Sequence, residues 1–226
     1  MKTKQEIVQN WLPRYTGQTL HEFGQYILLT NFENYVKMFA ELHNVPVNGL
    51  DRPMRSATAQ GITIINFGMG SPNAATIMDC LSAIAPKAAL FLGKCGGLKK
   101  KNNIGDLILP IAAIRDFGHD YWTGTVYTTN RRVWEWDEDF KAYLRKIRAQ
   151  AIDMETATIF STAFHNKIPT GALLLVSDSP MVPEGVKTEV SDMSVTKDFV
   201  EIHLRVGIES LKQLINNGIT VKHLRY

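Results

Sequence analysis

The chain has 226 residues, which is enough for one mid-sized domain and too few for two comfortable ones. Hydrophobic residues make up 45% and charged residues 21%, the balance of an ordinary soluble globular protein. The formal net charge of +3 is too small to indicate nucleic-acid or membrane binding, although it is compatible with an anionic small-molecule substrate.

Redox and targeting signals are weak. Cys80 and Cys95 are the two cysteines and have no histidine cluster beside them, so neither a disulfide framework nor a zinc site is expected. The N-terminus begins basic but has no apolar core of a signal peptide, and Lys87 interrupts the best candidate for a membrane span. We therefore expect a cytoplasmic protein.

Apolar runs of strand length alternate with helix-length segments along the chain. The predicted strands are 26–30, 62–67, 88–92, 107–114, 124–128 and 172–177, and the predicted helices are 33–43, 72–84 and about 200–215. This alternation predicts an α/β sandwich in which ligands collect at the carboxyl ends of the strands. Without a repeat or linker, residues 1–226 are expected to form one catalytic domain, with residues 1–20 as an N-terminal helical extension.

The first candidate site segment is 67–72, between a predicted strand and a predicted helix. Its glycines would let the backbone approach a ligand, and the helix N-terminus would offer N–H groups to an anion or a sugar hydroxyl. The alternative is a tight turn with Ser71 as N-cap and Pro72 at the first helical position. A short glycine motif alone does not decide between them.

The second candidate segment is 151–157, predicted to open a helix. Glu155 stands there among apolar residues, where an unpaired carboxylate would be costly. It could accept hydrogen bonds from two vicinal ribose hydroxyls, or it could simply complement the helix dipole.

The third candidate is Asp178, at the exit of the most hydrophobic strand. Such an aspartate is commonly a helix cap or an Asx-turn residue. The alternative is a general acid whose pKa is raised by burial.

Basic residues surround a glycine-containing turn at 95–98. The spacing is not that of a P-loop, and Lys99, Lys100 and Lys101 are expected on a solvated turn. Lys94 adjoins a strand end and is the more interesting cation.

Taken in order from Tyr26 to about Ile215, the segments YILLT, INFGMGSPN, FLGKCGGL, IGDLILP, AIDMETA and LLLVSDSP resemble the nucleoside phosphorylase/nucleosidase superfamily. Within it, YWTGTVYTTNRRVWE, IDMETATIF, GALLLVSD and VPEGVKTE are similar to the AMP nucleosidases. The resemblance implies a three-layer α/β/α sandwich with a mixed central sheet. It also implies hydrolysis of AMP to adenine and ribose 5-phosphate, with no metal or organic cofactor.

By this resemblance Asp178 would protonate the purine at N7, and Met154 and Glu155 would hold the ribose. Protonation lets adenine leave as a neutral base, a general-acid contribution of about 10²–10⁴-fold. Glu155 would favour the developing positive charge on the sugar, by analogy with glycosidases. Further expected substrate-binding residues are Gly68, Met69, Gly70, Tyr127, Thr128, Val176 and Ser177.

The chain departs from the phosphorylase pattern where the attacking phosphate would bind. The first strand is followed by TNFENY at 30–35 in place of Gly-Asp-Pro-x-Arg, and the second expected arginine is Phe91. Without these guanidiniums free phosphate is a poor nucleophile, which leaves water. The expected partners of the AMP 5′-phosphate are Lys94, Arg52 and Arg55, together with Arg131 or Arg132. Lys187 is expected to close over the site or to pair with Asp178.

Other expectations concern relatives and rivals. Relatives commonly share active sites between subunits, so a homohexamer built from dimers is expected, and the regulatory domain of longer relatives is not. Ile114 runs into Arg115 where relatives carry a loop and helix, so that element is either lost or missing from the sequence.

A purine nucleoside phosphorylase or a methylthioadenosine-type nucleosidase is the alternative enzyme. A non-catalytic binding protein and a nucleic-acid-binding module are the rivals outside enzymology, and no recognised motif supports the latter.

Overall fold

A mixed nine-stranded sheet organises the part of the chain that the computed structural model describes, residues 2–110 and 121–217. The strands lie in the order β2-β3-β1-β4-β9-β5-β6, and β8 pairs with both β4 and β7. Their bounds are Tyr26–Thr30 (β1), Arg55–Ala59 (β2), Ile62–Asn66 (β3), Ala88–Gly97 (β4), Leu107–Pro110 (β5), Tyr121–Gly124 (β6), Val126–Thr128 (β7), Ala151–Asp153 (β8) and Thr170–Asp178 (β9).

The central strands β3, β1, β4 and β9 are parallel neighbours, whereas β2, β5 and β8 pair antiparallel to β3, β9 and β4. All five residues of β1 are buried, because helices cover both faces of the sheet. Ile27 and Leu29 point into one core cluster and Tyr26 and Leu28 into the other, as the period of two requires.

The described ranges contain six helices, and two short 3₁₀ turns lie at Leu20–Glu22 and Pro183–Gly185. Helices α1, α3 and α5 contribute to the first core cluster, and α2 and α6 contribute to the second. The expected three-layer sandwich with a mixed sheet is therefore confirmed. The helices are Lys4–Thr16 (α1), Glu33–His43 (α2), Ser71–Leu81 (α3), Glu138–Lys146 (α4), Thr156–Asn166 (α5) and Glu189–Asn217 (α6).

Several predicted boundaries need correction. The segment 151–157 does not open a helix, because Ala151–Asp153 forms β8 and α5 begins at Thr156. Gly70 and not Ser71 is the N-cap of α3, with a φ of 91° that favours glycine. Two strands, β4 and β9, extend beyond their predicted limits, while the predicted strand 124–128 is divided between β6 and β7.

Residues 111–114 of one predicted strand and the junction between Ile114 and Arg115 lie outside the described residues. Within the described residues, no helix combines the length and the apolar character that a membrane span requires.

Candidate active site

A cavity of about 210 Å³ opens where β1, β4 and β9 end, the position that parallel sheets favour for ligands. The residues that sequence reasoning proposed for the site and that line this cavity are Met69, Lys94, Arg131, Arg132, Met154, Glu155, Ser177, Asp178 and Lys187. Both proposed catalytic carboxylates therefore face the same space.

Irregular pairing around the end of β4 brings Glu155 and Asp178 to one cavity. The short strand β8 pairs with β4 so that Ile152 lies opposite Gly96, which places the following Glu155 beside β4. On the other side of β4, Cys95 pairs with Val176 but Gly96 pairs with Asp178, so Ser177 is an extra residue in β9. Such bulges redirect side chains at strand ends.

Gly96 is required at this junction for a steric reason. A Cβ atom on Gly96 would lie 2.8 Å from the Pro180 ring and 3.2 Å from the Ile152 side chain. Only glycine lets the segment that follows Asp178 and the strand β8 approach β4 so closely.

Glu155 is 2% exposed and is held by two backbone donors. The Gly70 N–H donates to Oε1 at 2.7 Å, and the Met154 N–H donates to Oε2 at 3.3 Å. Burial raises the pKa of Glu155 to about 7, while the Gly70 hydrogen bond works in the opposite direction. The carboxyl thus changes its charge near neutral pH. Gly70 contributes to the site by orienting this carboxyl, although it does not itself line the cavity.

Asp178 lies at the last position of β9 and is largely buried. The Ser177 hydroxyl donates to its Oδ1 at 2.6 Å. Burial raises the pKa of Asp178, whereas the Ser177 hydrogen bond and the charges of Lys187 and Arg132 lower it. The direction of the shift is the one that a carboxyl needs to retain a proton near neutrality.

Lys94 is a buried cation with a side chain that is 3% exposed. Its ammonium donates to Asp192 Oδ1 and to the Thr196 hydroxyl, both at 3.0 Å, and lies 4.7 Å from the centre of the Phe32 ring. Burial lowers the pKa of Lys94, and the hydrogen bond to Asp192 opposes this effect. Lys187 contacts the same Asp192 oxygen at 3.2 Å. The predicted pairing of Lys187 with Asp178 is replaced by this shared ion pair.

Arg52 and Arg55 do not line the cavity of their own chain. Arg52 contacts Asp51 at 3.3 Å, and Arg55 pairs with Glu33. Their predicted role in the site of a neighbouring subunit stays a prediction.

Four other proposed residues support the site without lining it. Val176 is fully buried in the first core cluster, and Tyr127 packs against Phe140 on α4. The Thr128 hydroxyl donates to Asp153 Oδ1 at 2.7 Å. Gly68 does not reach the cavity either. The predicted contact of these residues with the substrate stays a prediction.

Sequence reasoning missed Asp153 and Asn31. Asp153 is 5% exposed, lines the cavity and accepts hydrogen bonds from Thr128 and from both the N–H and the hydroxyl of Thr156. Its position two residues before Glu155 was a usable signal. Asn31 lowers the pKa of Glu155, and its buried Oδ1 has no partner among the described residues. Nothing in the local sequence marks Asn31.

Residues from the segment between β7 and α4 also line the cavity, and sequence reasoning had considered only the two arginines among them. Arg131 donates to Asp137 at 2.9 Å and lies over the Trp136 ring, while Arg132 lies near Asp178 and contacts Glu135 at 3.5 Å. The cavity lining from this segment consists of Thr129, Arg131, Arg132, Trp134 and Glu135. No group of three or more potential metal ligands occurs among the residues that the structure describes.

The sheet order and the cavity with its two carboxyls and surrounding cations are those of a known class of protein. The model of the Phosphorylase superfamily matches residues 25–121 and 112–215, and the chain belongs to that superfamily.

Individual relatives are consistent with this class. The crystal structure of an AMP nucleosidase from Bacteroides thetaiotaomicron is 52% identical, covers 96% of this chain and 100% of its own, and has a TM-score of 0.82. The AMP nucleosidase of Escherichia coli (strain K12) is 27% identical over 92% of this chain, which spans 58% of the length of that relative. A uridine phosphorylase from Vibrio fischeri, 18% identical, shares the fold with a TM-score of 0.72 over 86% of this chain and 93% of its own.

Proposed function

We propose that the protein hydrolyses the N-glycosidic bond of AMP and releases adenine and ribose 5-phosphate. The observation that carries this proposal is one cavity lined by the buried carboxyl of Glu155, the largely buried carboxyl of Asp178, and cations. The similarity to AMP nucleosidases, at 52% identity over nearly the whole chain for one of them, supports the choice of substrate. The lining cations are Lys94, Arg131, Arg132 and Lys187.

Asp178 acts as the general acid in this mechanism. As the bond between C1′ and N9 breaks, its electron pair passes to the purine, and Asp178 delivers its proton to N7. Neutral adenine then leaves and water adds to C1′. The proton that this water loses passes through solvent and restores the neutral form of Asp178. A carboxyl whose pKa is raised by burial retains a proton for this step at a pH where an exposed aspartate would have lost it.

Glu155 binds the ribose through its ionised form. Each carboxylate oxygen already accepts one backbone N–H, from Gly70 or Met154, and each has a further lone pair. The 2′- and 3′-hydroxyls of one ribose can therefore donate to the two oxygens without displacing either backbone bond. The negative charge also favours the oxocarbenium character that the sugar gains as adenine leaves.

Water is the proposed nucleophile because the phosphate-binding residues of phosphorylases are absent. Phe91 stands where an arginine is expected, is fully buried, and packs against Phe67 with ring centres 5.7 Å apart. Asn31 and Phe32 line the cavity after β1, where the phosphorylase pattern would supply another arginine. The Asn31 Oδ1, which is buried beside Glu155 and has no partner among the described residues, is a suitable acceptor for the attacking water.

The 5′-phosphate of AMP binds Lys94 and Lys187 in this proposal. In the structure the Asp192 carboxylate contacts both ammonium groups. A bound phosphate would replace this carboxylate as the partner of the two lysines. Arg131 and Arg132 are exposed at the cavity and can add further contacts. Arg52 and Arg55 reach the site of a neighbouring subunit if the protein forms the expected hexamer of dimers. We also propose that the protein acts in the cytoplasm as a single catalytic domain.

The deciding experiment measures adenine release from AMP, adenosine and methylthioadenosine, each with and without inorganic phosphate. We expect AMP to be the preferred substrate and phosphate to be unnecessary. Phosphate-dependent turnover of adenosine in preference to AMP would refute the proposal and favour a nucleoside phosphorylase. Preferred turnover of methylthioadenosine without phosphate would favour the other related nucleosidase.

A further inference from the structure

A second cavity lies beside the proposed active site and is not used by the proposed reaction. Its volume is about 500 Å³, within the range of about 300–1,000 Å³ that is usual for small-molecule sites. Its polar lining consists of Lys99, Lys100, Asn102, Arg145 and Ser179. We call it the basic cavity, because no acidic side chain of the described residues lines it.

The three cations of the basic cavity come from two separate parts of the fold. Lys99 and Lys100 follow β4, whereas Arg145 lies in the last turn of α4. A helix dipole explains a cation at the end of α4 but not its position across a cavity from two lysines. None of the three forms an ion pair with any residue in the ranges 2–110 and 121–217. The charge of Arg145 acts on Glu138 of the same helix, but Glu138 does not line the cavity. Three like charges that face one cavity repel one another, so the arrangement favours an anion between them.

Asn102 supplies a second, independent observation. It is 5% exposed, and its Oδ1 accepts hydrogen bonds from the Lys99 N–H at 3.1 Å and from Gln150 Nε2 at 3.2 Å. These bonds fix the orientation of the amide. Its Nδ2 is buried and has no partner among the described residues. Native proteins rarely leave such a donor unpaired unless a water, an ion or a ligand completes the site.

We propose that the basic cavity binds a phosphate group, either as inorganic phosphate or as part of a small phosphomonoester. Phosphate oxygens accept charge-assisted hydrogen bonds from ammonium and guanidinium groups, and arginine can bind two of them at once. The Asn102 amide donates to a further oxygen. Ser179 directly follows Asp178 and lines the cavity, so the bound anion lies against the segment that carries the proposed general acid.

Isothermal titration calorimetry of the full chain with inorganic phosphate tests this proposal. The titrated protein carries Lys94→Met, which removes a proposed phosphate partner from the cavity containing Glu155 and Asp178 without filling the basic cavity. We expect phosphate still to bind, and Lys100→Glu or Arg145→Glu to weaken that binding about tenfold or more, since each removes a charge-assisted contact. Both side chains are exposed, so neither variant should impair folding.

Lys146→Glu is the matched control, because Lys146 is an exposed neighbour on α4 that does not line the cavity. In the same Lys94→Met background, it should leave the phosphate affinity unchanged. Glycerol 3-phosphate, titrated in the same way, shows whether the site prefers a phosphomonoester. Absence of any binding of either probe, or binding that Lys100→Glu and Arg145→Glu leave unchanged, would overturn the proposal. Equal weakening in Lys146→Glu and Arg145→Glu would overturn it as well, because a general charge effect would then explain the binding.

Discussion

Replacing Glu155 with glutamine is expected to stabilise the protein in alkaline solution and to destabilise it in acid. Burial raises the pKa of Glu155 from 4.5 to about 7, so the folded protein holds a proton that the unfolded chain releases between these values. The stability from this proton is fully present below the unfolded pKa and is lost as pH rises through the folded pKa. At about 1.36 kcal/mol per pKa unit, keeping the ionised carboxylate buried costs roughly 3 kcal/mol above pH 7.

Glutamine avoids this cost because it does not ionise. Its amide nitrogen, however, must replace one oxygen that now accepts from Gly70 or from Met154, and losing such a bond costs about 1 kcal/mol. The Glu155→Gln variant should therefore be more stable than the unmodified protein by roughly 2 kcal/mol at about pH 8.5, and less stable by about 1 kcal/mol at about pH 4.5.

Urea unfolding of both proteins across this pH range measures the difference. Buried His203 has its pKa lowered to about 4 in both proteins, so its titration cancels when the two are subtracted. Glu184→Gln serves as the control, since it removes a carboxylate at an exposed position. A difference for Glu155→Gln that changes with pH no more than the difference for Glu184→Gln would refute the burial argument.

Three further predictions concern activity. Asp178→Asn should lower kcat for AMP by about 10²–10⁴-fold without loss of the fold. The control Asp139→Asn, at an exposed position of α4, should leave kcat unchanged. Equal rates for both variants in an adenine-release assay would exclude Asp178 as the acid. If the ionised form of Glu155 binds ribose, kcat/KM should fall as the pH drops below about 7, and the residual activity of Glu155→Gln should not show this fall. If the variant still shows it, the fall belongs to another group, such as the AMP phosphate, which titrates near pH 6. Lys94→Met should raise KM for AMP by about tenfold or more but leave KM for adenosine unaltered. The control Lys197→Met, at an exposed position, should change neither KM. A parallel rise of KM for both substrates would mean that Lys94 does not bind the phosphate.

The sequence alone determined the layered architecture and the main carriers of the proposed chemistry. The bounds of β1 and α2 follow from local hydrophobic patterns, because a strand covered on both faces is apolar throughout and a surface helix is apolar on one side. Glu155 was a candidate because a carboxylate in an apolar setting is costly. The roles of Glu155 and Asp178 followed from the resemblance to the AMP nucleosidases. The same resemblance showed that Phe91 stands where phosphorylases carry an arginine.

Tertiary structure alone decided how these residues meet. The three residues of β8 are too few to show a period, and they form a strand only because the end of β4 is available for pairing. The bulge at Ser177 depends on the same neighbour. Lys94 and Asp192 are distant in the chain, as are Lys100 and Arg145, and local patterns report only which face of an element is buried. Which charges share a cavity is fixed by the packing of whole elements, and no pattern of neighbouring residues encodes it.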